Sequence, residues 1–264
     1  KYDGSPHGAT GTATGADGSD LSSLLDLGAT FTDVPGGTAI WTFAGNDNHE
    51  SDSGSVDIII TEADSGTKVE SSKSPSTYGE SVTFTATVSP SAATGDVEFY
   101  VDGSSIGSAA VSSGTATFST TSISTGEHTI KAEYKGNTTY AGSEGTCEQK
   151  VNKADATINV QGVTVAYDGN PHGATGTATG ADGSDLSSLL HLGATYTNVS
   201  GGPANWTFDG DANHNTDSGS VNIVINKADA TIDVDGVTIK YDGSPHGATG
   251  TATGADGSDL SSLL

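Results

Sequence analysis

The chain is predicted to be mainly β and built as a tandem array of small sheet domains, on three observations. Residues 1–25 and 240–264 are identical, at an offset of 239 residues. A shorter repeat lies inside the long one: Lys153–Ile158 returns as Lys227–Ile232 at an offset of 74. Between the repeats run short segments in which Thr and Val alternate with polar residues, separated by Gly and Asp. That is the pattern of strands joined by tight turns. Self-similarity at fixed periods is the signature of a repeat architecture.

The offsets divide the chain into two kinds of segment. Residues 153–226 form one complete 74-residue repeat, and 227–264 begin another. Residues 1–61 match the same repeat without its first strand, since Trp41-Thr42-Phe43 corresponds to Trp206-Thr207-Phe208. Residues 62–152 are of a different kind. Both ends fall inside a repeat, so the chain reads as a window of slightly more than one period of a longer array.

Within the complete repeat, Thr157–Val160 alternates and a Gln161-Gly162 turn leads to Val163–Tyr167. Asp168-Gly169-Asn170-Pro171 is a turn signal. Gly173–Gly180 reads as a strand of small residues. Leu186, Leu189 and Leu190 stand at helical spacing behind Ser184 or Asp185 as a cap, with Gly193 as the stop, so one short helix is predicted there. Strands follow over Ala194–Thr197, Ala204–Phe208 and Ser220–Ile225. A sheet crossed by one short helix has the outline of a β-grasp.

Residues 62–152 carry no helix signal. Val82–Val88, Asp96–Val101, Thr115–Phe118 and His128–Tyr134 alternate, and Asp102-Gly103 and Ser113-Gly114 are hairpin turns. About seven short strands in a segment of this length is the count of an immunoglobulin-like sandwich. The lone Cys147 excludes an internal disulfide framework, so apolar packing alone must hold it.

Composition narrows function by exclusion. There are 33 acidic residues against 9 basic ones, a net charge of −24. That argues against nucleic acid, which needs a cationic surface, and against anionic lipid. It suits solubility and self-repulsion along a rod. No run of 18 apolar residues occurs. Ser, His and Asp are present, but no nucleophile elbow, zinc-binding His-Glu-x-x-His or phosphate loop accompanies them, and no enzyme activity is expected. His7, His172 and His246 sit in repeated Pro-His-Gly turns and read as turn residues covering a sheet edge. Three Asn-x-Ser/Thr triplets, at Asn137, Asn198 and Asn205, are frequent by accident in a Thr-rich chain.

Calcium is the one cofactor the residues suggest. Asp209, Asp211, Asn213 and Asp217 place side-chain oxygens at alternate positions, as a calcium loop does. The pattern departs from an EF-hand at His214, where Gly is needed, and at Ser220, where a bidentate Glu belongs. The first repeat has Ala44 in place of Asp209. The same stretch also reads as a solvated acidic hairpin loop. Asp155, Asp229, Glu62 and Asp64, near the joins, are a second possible set of cation ligands.

Residues 62–152 resemble the bacterial Ig-like repeat domains of large surface proteins, on Ser74–Phe84, Gly95–Tyr100, Gly126–Tyr134 and Gly136–Tyr140. The 74-residue repeat looks like the mostly β-grasp (MBG) domains found beside them, on Lys153–Ala156, Tyr167-Asp168-Gly169, His172-Gly173-Ala174, Leu186–Leu190 and Trp206-Thr207-Phe208. The resemblance implies tandem β-grasp-like domains with one short helix each, flanking an Ig-like β-sandwich. It implies an extracellular, cell-surface setting and stalk or adhesin roles without a shared active site.

Joins such as Val151-Asn152 and Ile225-Asn226 are only a few residues long, which limits bending and favours a semi-rigid rod. Three functions stay open: a stalk segment of a giant surface protein, a filament subunit completed head to tail by strand addition, and an adhesin whose repeats bind a surface ligand. The expected partners are neighbouring repeats of the same chain or identical chains, with no membrane insertion in this segment.

Overall fold

The structure, a computed structural model, describes residues 1–264 and is almost entirely β. No helix in it is long and apolar enough to cross a membrane. It divides into two compact units, Lys1–Ser76 with Glu80–Val151, and Thr77–Gly79 with Asn152–Leu264.

The first unit opens with a three-stranded antiparallel sheet of β1 (Leu25–Asp26), β2 (Gly36–Phe43) and β3 (Asp52–Ile59). Ala39 is its buried residue and Ile60, just past β3, is buried as well, while Ile40 and Ile59 are exposed. The rest of the unit holds two facing sheets. One is β4 (Gly66–Ser71), β6 (Val82–Ser89) and β9 (Thr115–Thr120). The other runs β5 (Ser76–Thr77), β11 (Ser143–Asn152), β10 (Gly126–Tyr134), β7 (Asp96–Val101) and β8 (Ser104–Ala110). Alternation decides the core here. Val82, Phe84, Ala86 and Val88 of β6, Val97 and Phe99 of β7, and Ile130, Ala132 and Tyr134 of β10 are all buried. Phe99 stacks on Phe118 with centroids 5.7 Å apart. Both predicted hairpin turns have two residues in the left-handed region, Asp102-Gly103 and Ser113-Gly114, as a type I′ turn requires.

One polar side chain is also sealed in this core. Gln149 is fully buried, accepts from Ser71 Oγ, and donates to the Lys73 and Lys150 carbonyls and to Ser76 Oγ. Its amide satisfies the Lys73 carbonyl in the irregular stretch that links β4 to β5.

In the second unit β12 (Thr157–Gln161) pairs with β14 (Thr175–Thr179). A four-stranded mixed sheet has the order β13 (Thr164–Ala166), β17 (Asp217–Asn226), β16 (Gly202–Phe208), β15 (Leu190–His191). β13 runs parallel to β17, and the other pairs are antiparallel. Ala204, Ile223 and Ile225 form the core, with Val163, Val165, Tyr167 and Tyr196 packed around it. The last segment repeats the first pairing: β18 (Thr231–Asp235) lies on β19 (Thr249–Thr253) in the register of β12 on β14.

Two predicted elements differ. The short helix expected over 186–190 is a single 3₁₀ turn, Ser187–Leu189. Its N-cap position is Leu186 and not the expected Ser184 or Asp185, and no side chain caps it. Asp185, one residue earlier, accepts the Ser187 N–H, and the stretch is too short to nucleate an α-helix. Leu190 is instead taken into β15 against Phe208. Ser22–Leu24 and Ser261–Leu263 repeat the same turn. The strand expected over Ala194–Thr197 is one bridge, His172 to Tyr196. On the side toward residue 198 the next donor, the Asn170 N–H, is committed to Asp168 Oδ1.

Candidate functional site

The repeated histidines are turn anchors. In each copy the imidazole Nε2 lies 2.8–2.9 Å from the Asp four residues earlier: His7 on Asp3, His172 on Asp168, His246 on Asp242. The Asp168 carboxyl also accepts the Asn170 N–H, and these bonds, the backbone one first, lower it to about 2.

A second Asp–His pair has a hydroxyl beside it. Asp102 Oδ2 is 2.7 Å from His128 Nδ1, and Ser124 Oγ is 3.5 Å from Nε2. A hydrolytic triad needs Nε2 free to take the hydroxyl proton. Here Nε2 faces the Ser124 carbonyl oxygen at 2.9 Å and donates to it. The arrangement ties the 124–128 turn to the Asp102 hairpin, whose carboxylate also accepts the Thr129 N–H.

The calcium candidates are placed apart by their own hydrogen bonds. Asp209 and Asp217 border one shallow groove with Thr207 and Thr216. Asp209 Oδ2 is taken by His191 Nε2 at 2.9 Å, and Asp217 Oδ1 by the Ser218 N–H. Asp211 turns elsewhere: its Oδ1 accepts from the N–H groups of Asn213 and His214 and from His214 Nδ1. Burial opposes ionisation of Asp211, but these donors outweigh it and hold the carboxyl below its ordinary value. No cluster of three or more His, Cys, Asp or Glu side chains with metal-binding geometry is present in the structure.

What the 209–215 loop does hold is the start of its own domain. The Ala154 N–H donates to the Asn213 carbonyl and the Asn215 N–H to the Ala154 carbonyl, both at 2.9 Å. In the first unit Ala63 is held in the same way, by the Thr139 carbonyl and the Ala141 N–H. The two loops share one pattern, Gly136-Asn137-x-x-Tyr140 and Gly210-Asp211-x-x-His214. The glycine has positive φ in both. Asn137 Oδ1 accepts the Thr139 and Tyr140 N–H groups as Asp211 accepts those of Asn213 and His214. Gly45-Asn46-x-x-His49 is a third instance. A polar or acidic residue three places after a repeated aromatic strand, Asp211 after Phe208 and Asn46 after Phe43, is a weak signal. Gly-Asn/Asp-x-x-Tyr/His present in both kinds of domain is the stronger one.

His214 is 1% exposed. Its Nδ1 faces Asp211 and its Nε2 accepts the Ala181 N–H at 3.1 Å, which fixes the ring as the neutral Nδ1–H tautomer. The Tyr78 ring meets it edge-on at 5.4 Å and 85°. The Tyr78 hydroxyl donates to Asp182 Oδ2 at 3.0 Å, and the Tyr167 hydroxyl donates to Asp256 Oδ2 at 2.7 Å. Asp182 and Asp256 occupy the same place in the repeated turn Ala-Asp-Gly-Ser-Asp. In each, Oδ1 is bound by the hydroxyl and N–H of the following Ser, at 2.6 and 3.0 Å, leaving Oδ2 for the phenol. Both carboxyls are lowered to about 2, the serine hydroxyl being the largest cause. In the first unit Tyr2 meets the edge of Tyr140 at 6.1 Å and 84°, and Lys1 Nζ pairs with Asp64 at 2.5 Å.

Cys147 lies half-buried on β11. Burial, then the charges of Glu148 and Glu70, raise its thiol pKa, which makes it a poor nucleophile.

Residues 69–152 match the family of bacterial Ig-like domains, group 3. No curated protein is similar to the chain in sequence. Among solved structures, the Clostridium thermocellum CbhA fibronectin(III)-like modules are 18% identical, over 60% of this chain and 94% of that one, with a TM-score of 0.26. A titin A168169 segment is 13% identical, over 61% of this chain and 99% of that one, with a TM-score of 0.31. Domains 4–9 of the surface layer protein SbsC are 14% identical, over 86% of this chain and 43% of that one, with a TM-score of 0.18.

Proposed function

We propose that the chain is a structural repeat segment of an extracellular bacterial surface protein, in which MBG-type β-grasp repeats alternate with an Ig-like domain to form a semi-rigid stalk. The match of residues 69–152 to bacterial Ig-like domains carries the reading. Two further observations support it. The polar groups are spent on turns and linker clamps rather than gathered into a reactive cluster. The linkers at Ala63 and Ala154 are hydrogen-bonded on both sides to a loop of the domain they begin, so they do not behave as free tethers. The domain limits are taken as 1–61, 62–152, 153–226 and 227–264.

The mass of the native polypeptide under denaturing, reducing conditions tests the array. A species of hundreds of kilodaltons is expected, with antibodies to this segment labelling intact cells. A species near 26.2 kDa supports the second reading, identical chains joined head to tail.

A further inference from the structure

We propose that the tyrosine near the last strand's end of each repeat is a latch, and that the Ala-Asp-Gly-Ser-Asp turn of the 74-residue repeat is the surface that receives it from the preceding repeat. The inference rests on the array reading and specifies how successive repeats recognise one another.

Two independent occurrences in the second unit define the geometry. Tyr167 belongs to the sheet of the complete repeat, where its N–H donates to the Asn226 carbonyl. Its hydroxyl crosses to Asp256 of the next repeat at 2.7 Å. Tyr78, whose N–H donates to the Asn152 carbonyl, reaches Asp182 at 3.0 Å. The backbone closes up behind each phenol. Gly169 has φ +79, and a Cβ there would lie 2.7 Å from Asp256 Cβ. Gly79 has φ +80, and a Cβ there would lie 3.2 Å from Ala181 Cβ and carbonyl oxygen. A tyrosine, a left-handed glycine one or two residues on, and an aspartate with its inner oxygen occupied by serine recur as one device.

The receiving turn is built before the phenol arrives. Ser184 and Ser258 hold the Oδ1 of Asp182 and Asp256 through two bonds each, so Oδ2 is presented without further ordering. Asp17 and Ser19 form the same turn in residues 1–61. The Ig-like domain lacks the turn, and there the incoming Tyr2 meets the edge of Tyr140 instead. The acceptor therefore changes with the kind of domain that follows, which gives each junction a chemical identity: a phenol on a carboxylate before a β-grasp repeat, a ring on a ring before the Ig-like domain.

Pulsed EPR distances on the full chain test this, using spin labels at Thr207→Cys and Thr251→Cys in a Cys147→Ser background. Thr207 and Thr251 are exposed strand residues on either side of the Tyr167–Asp256 contact. A single narrow distribution is expected for the unaltered junction. Tyr167→Phe and Asp256→Asn should each broaden it at least two-fold, and the double variant should be no broader than either single one, since both remove one bond. Gly169→Ala should shift the mean distance while the circular dichroism of the sheet persists. Widths unchanged in Tyr167→Phe, or effects that add in the double variant, overturn the latch and leave the stalk reading intact. A broad distribution already present in the parent chain overturns both the latch and the semi-rigid stalk.

Discussion

Replacing His214 by Ala should destabilise the complete 74-residue repeat by about 4 kcal/mol. The ring is 1% exposed, and uncovering or losing an aromatic side chain of this size removes about 2 kcal/mol of burial. The Ala181 N–H loses its acceptor, which adds about 1–3 kcal/mol for a part-buried donor. The edge contact with Tyr78 contributes about 0.5–1.5 kcal/mol beyond area. Asp211 keeps the N–H groups of Asn213 and His214, so its carboxylate is not stranded, which holds the total to the lower part of the range. The chain has two tryptophans. A Trp41→Phe background therefore makes Trp206, in the affected sheet, the sole fluorescence reporter of urea unfolding. His214→Phe separates the terms. It keeps the ring against Tyr78 but not the nitrogen acceptor, and should lose about 1–2 kcal/mol. Equal losses for Phe and Ala would show that packing is irrelevant. A loss below about 0.5 kcal/mol for Ala would refute the assignment of His214 as the anchor of this loop.

Gly193→Ala should destabilise the same repeat by about 2–4 kcal/mol, through left-handed strain and a backbone clash. The glycine has φ +81, and a Cβ there would sit 2.2 Å from the Asn205 carbonyl oxygen; the Trp206 unfolding curve reads it. Acid should loosen the turns in a defined window. Asp168, Asp182 and Asp256 are lowered from 3.8 to about 2, so their contribution is complete above pH 3.8 and is lost as pH falls through about 2. Near-UV dichroism of Tyr78 and Tyr167 between pH 5 and pH 1.5 tests this, and a transition centred above pH 4.5 would point to other groups. Millimolar calcium should leave the thermal midpoint of the chain unchanged, since Asp209, Asp211 and Asp217 are engaged with different partners; a rise of several degrees that EDTA reverses would show the loop rearranging around an ion.

Strand positions in residues 62–152 were legible because burial there follows the alternation of the sequence. Phe84, Phe99 and Ile130 point inward for the same period-two reason that made their strands recognisable. The two hairpin turns were legible because Asp-Gly and Ser-Gly accept the left-handed backbone that a type I′ turn needs. The Leu186–Leu190 helix was misread. Its leucine spacing fits an α-helix as well as a 3₁₀ turn entering a strand, and only the pairing of Leu190 with Phe208 chooses between them. The 209–217 loop was legible as polar and acidic but not as a clamp. Alternating oxygens look alike whether they converge on an ion or turn back on nearby N–H groups.

By itself the sequence determined the periods, the mainly β class, the hairpin turns and the alternation that buries the strands of residues 62–152, because each follows from local spacing and residue type. Only the tertiary structure decided what the polar residues do. It turned Asp211 toward His214 and its own loop, placed Gln149 beneath an irregular edge, and brought Tyr78 and Tyr167 to Asp182 and Asp256, which lie 104 and 89 residues away along the chain. Hydrogen-bond partners that distant leave no trace in local pattern. They exist only once sheets and linkers have placed the donors within about 3 Å of their acceptors.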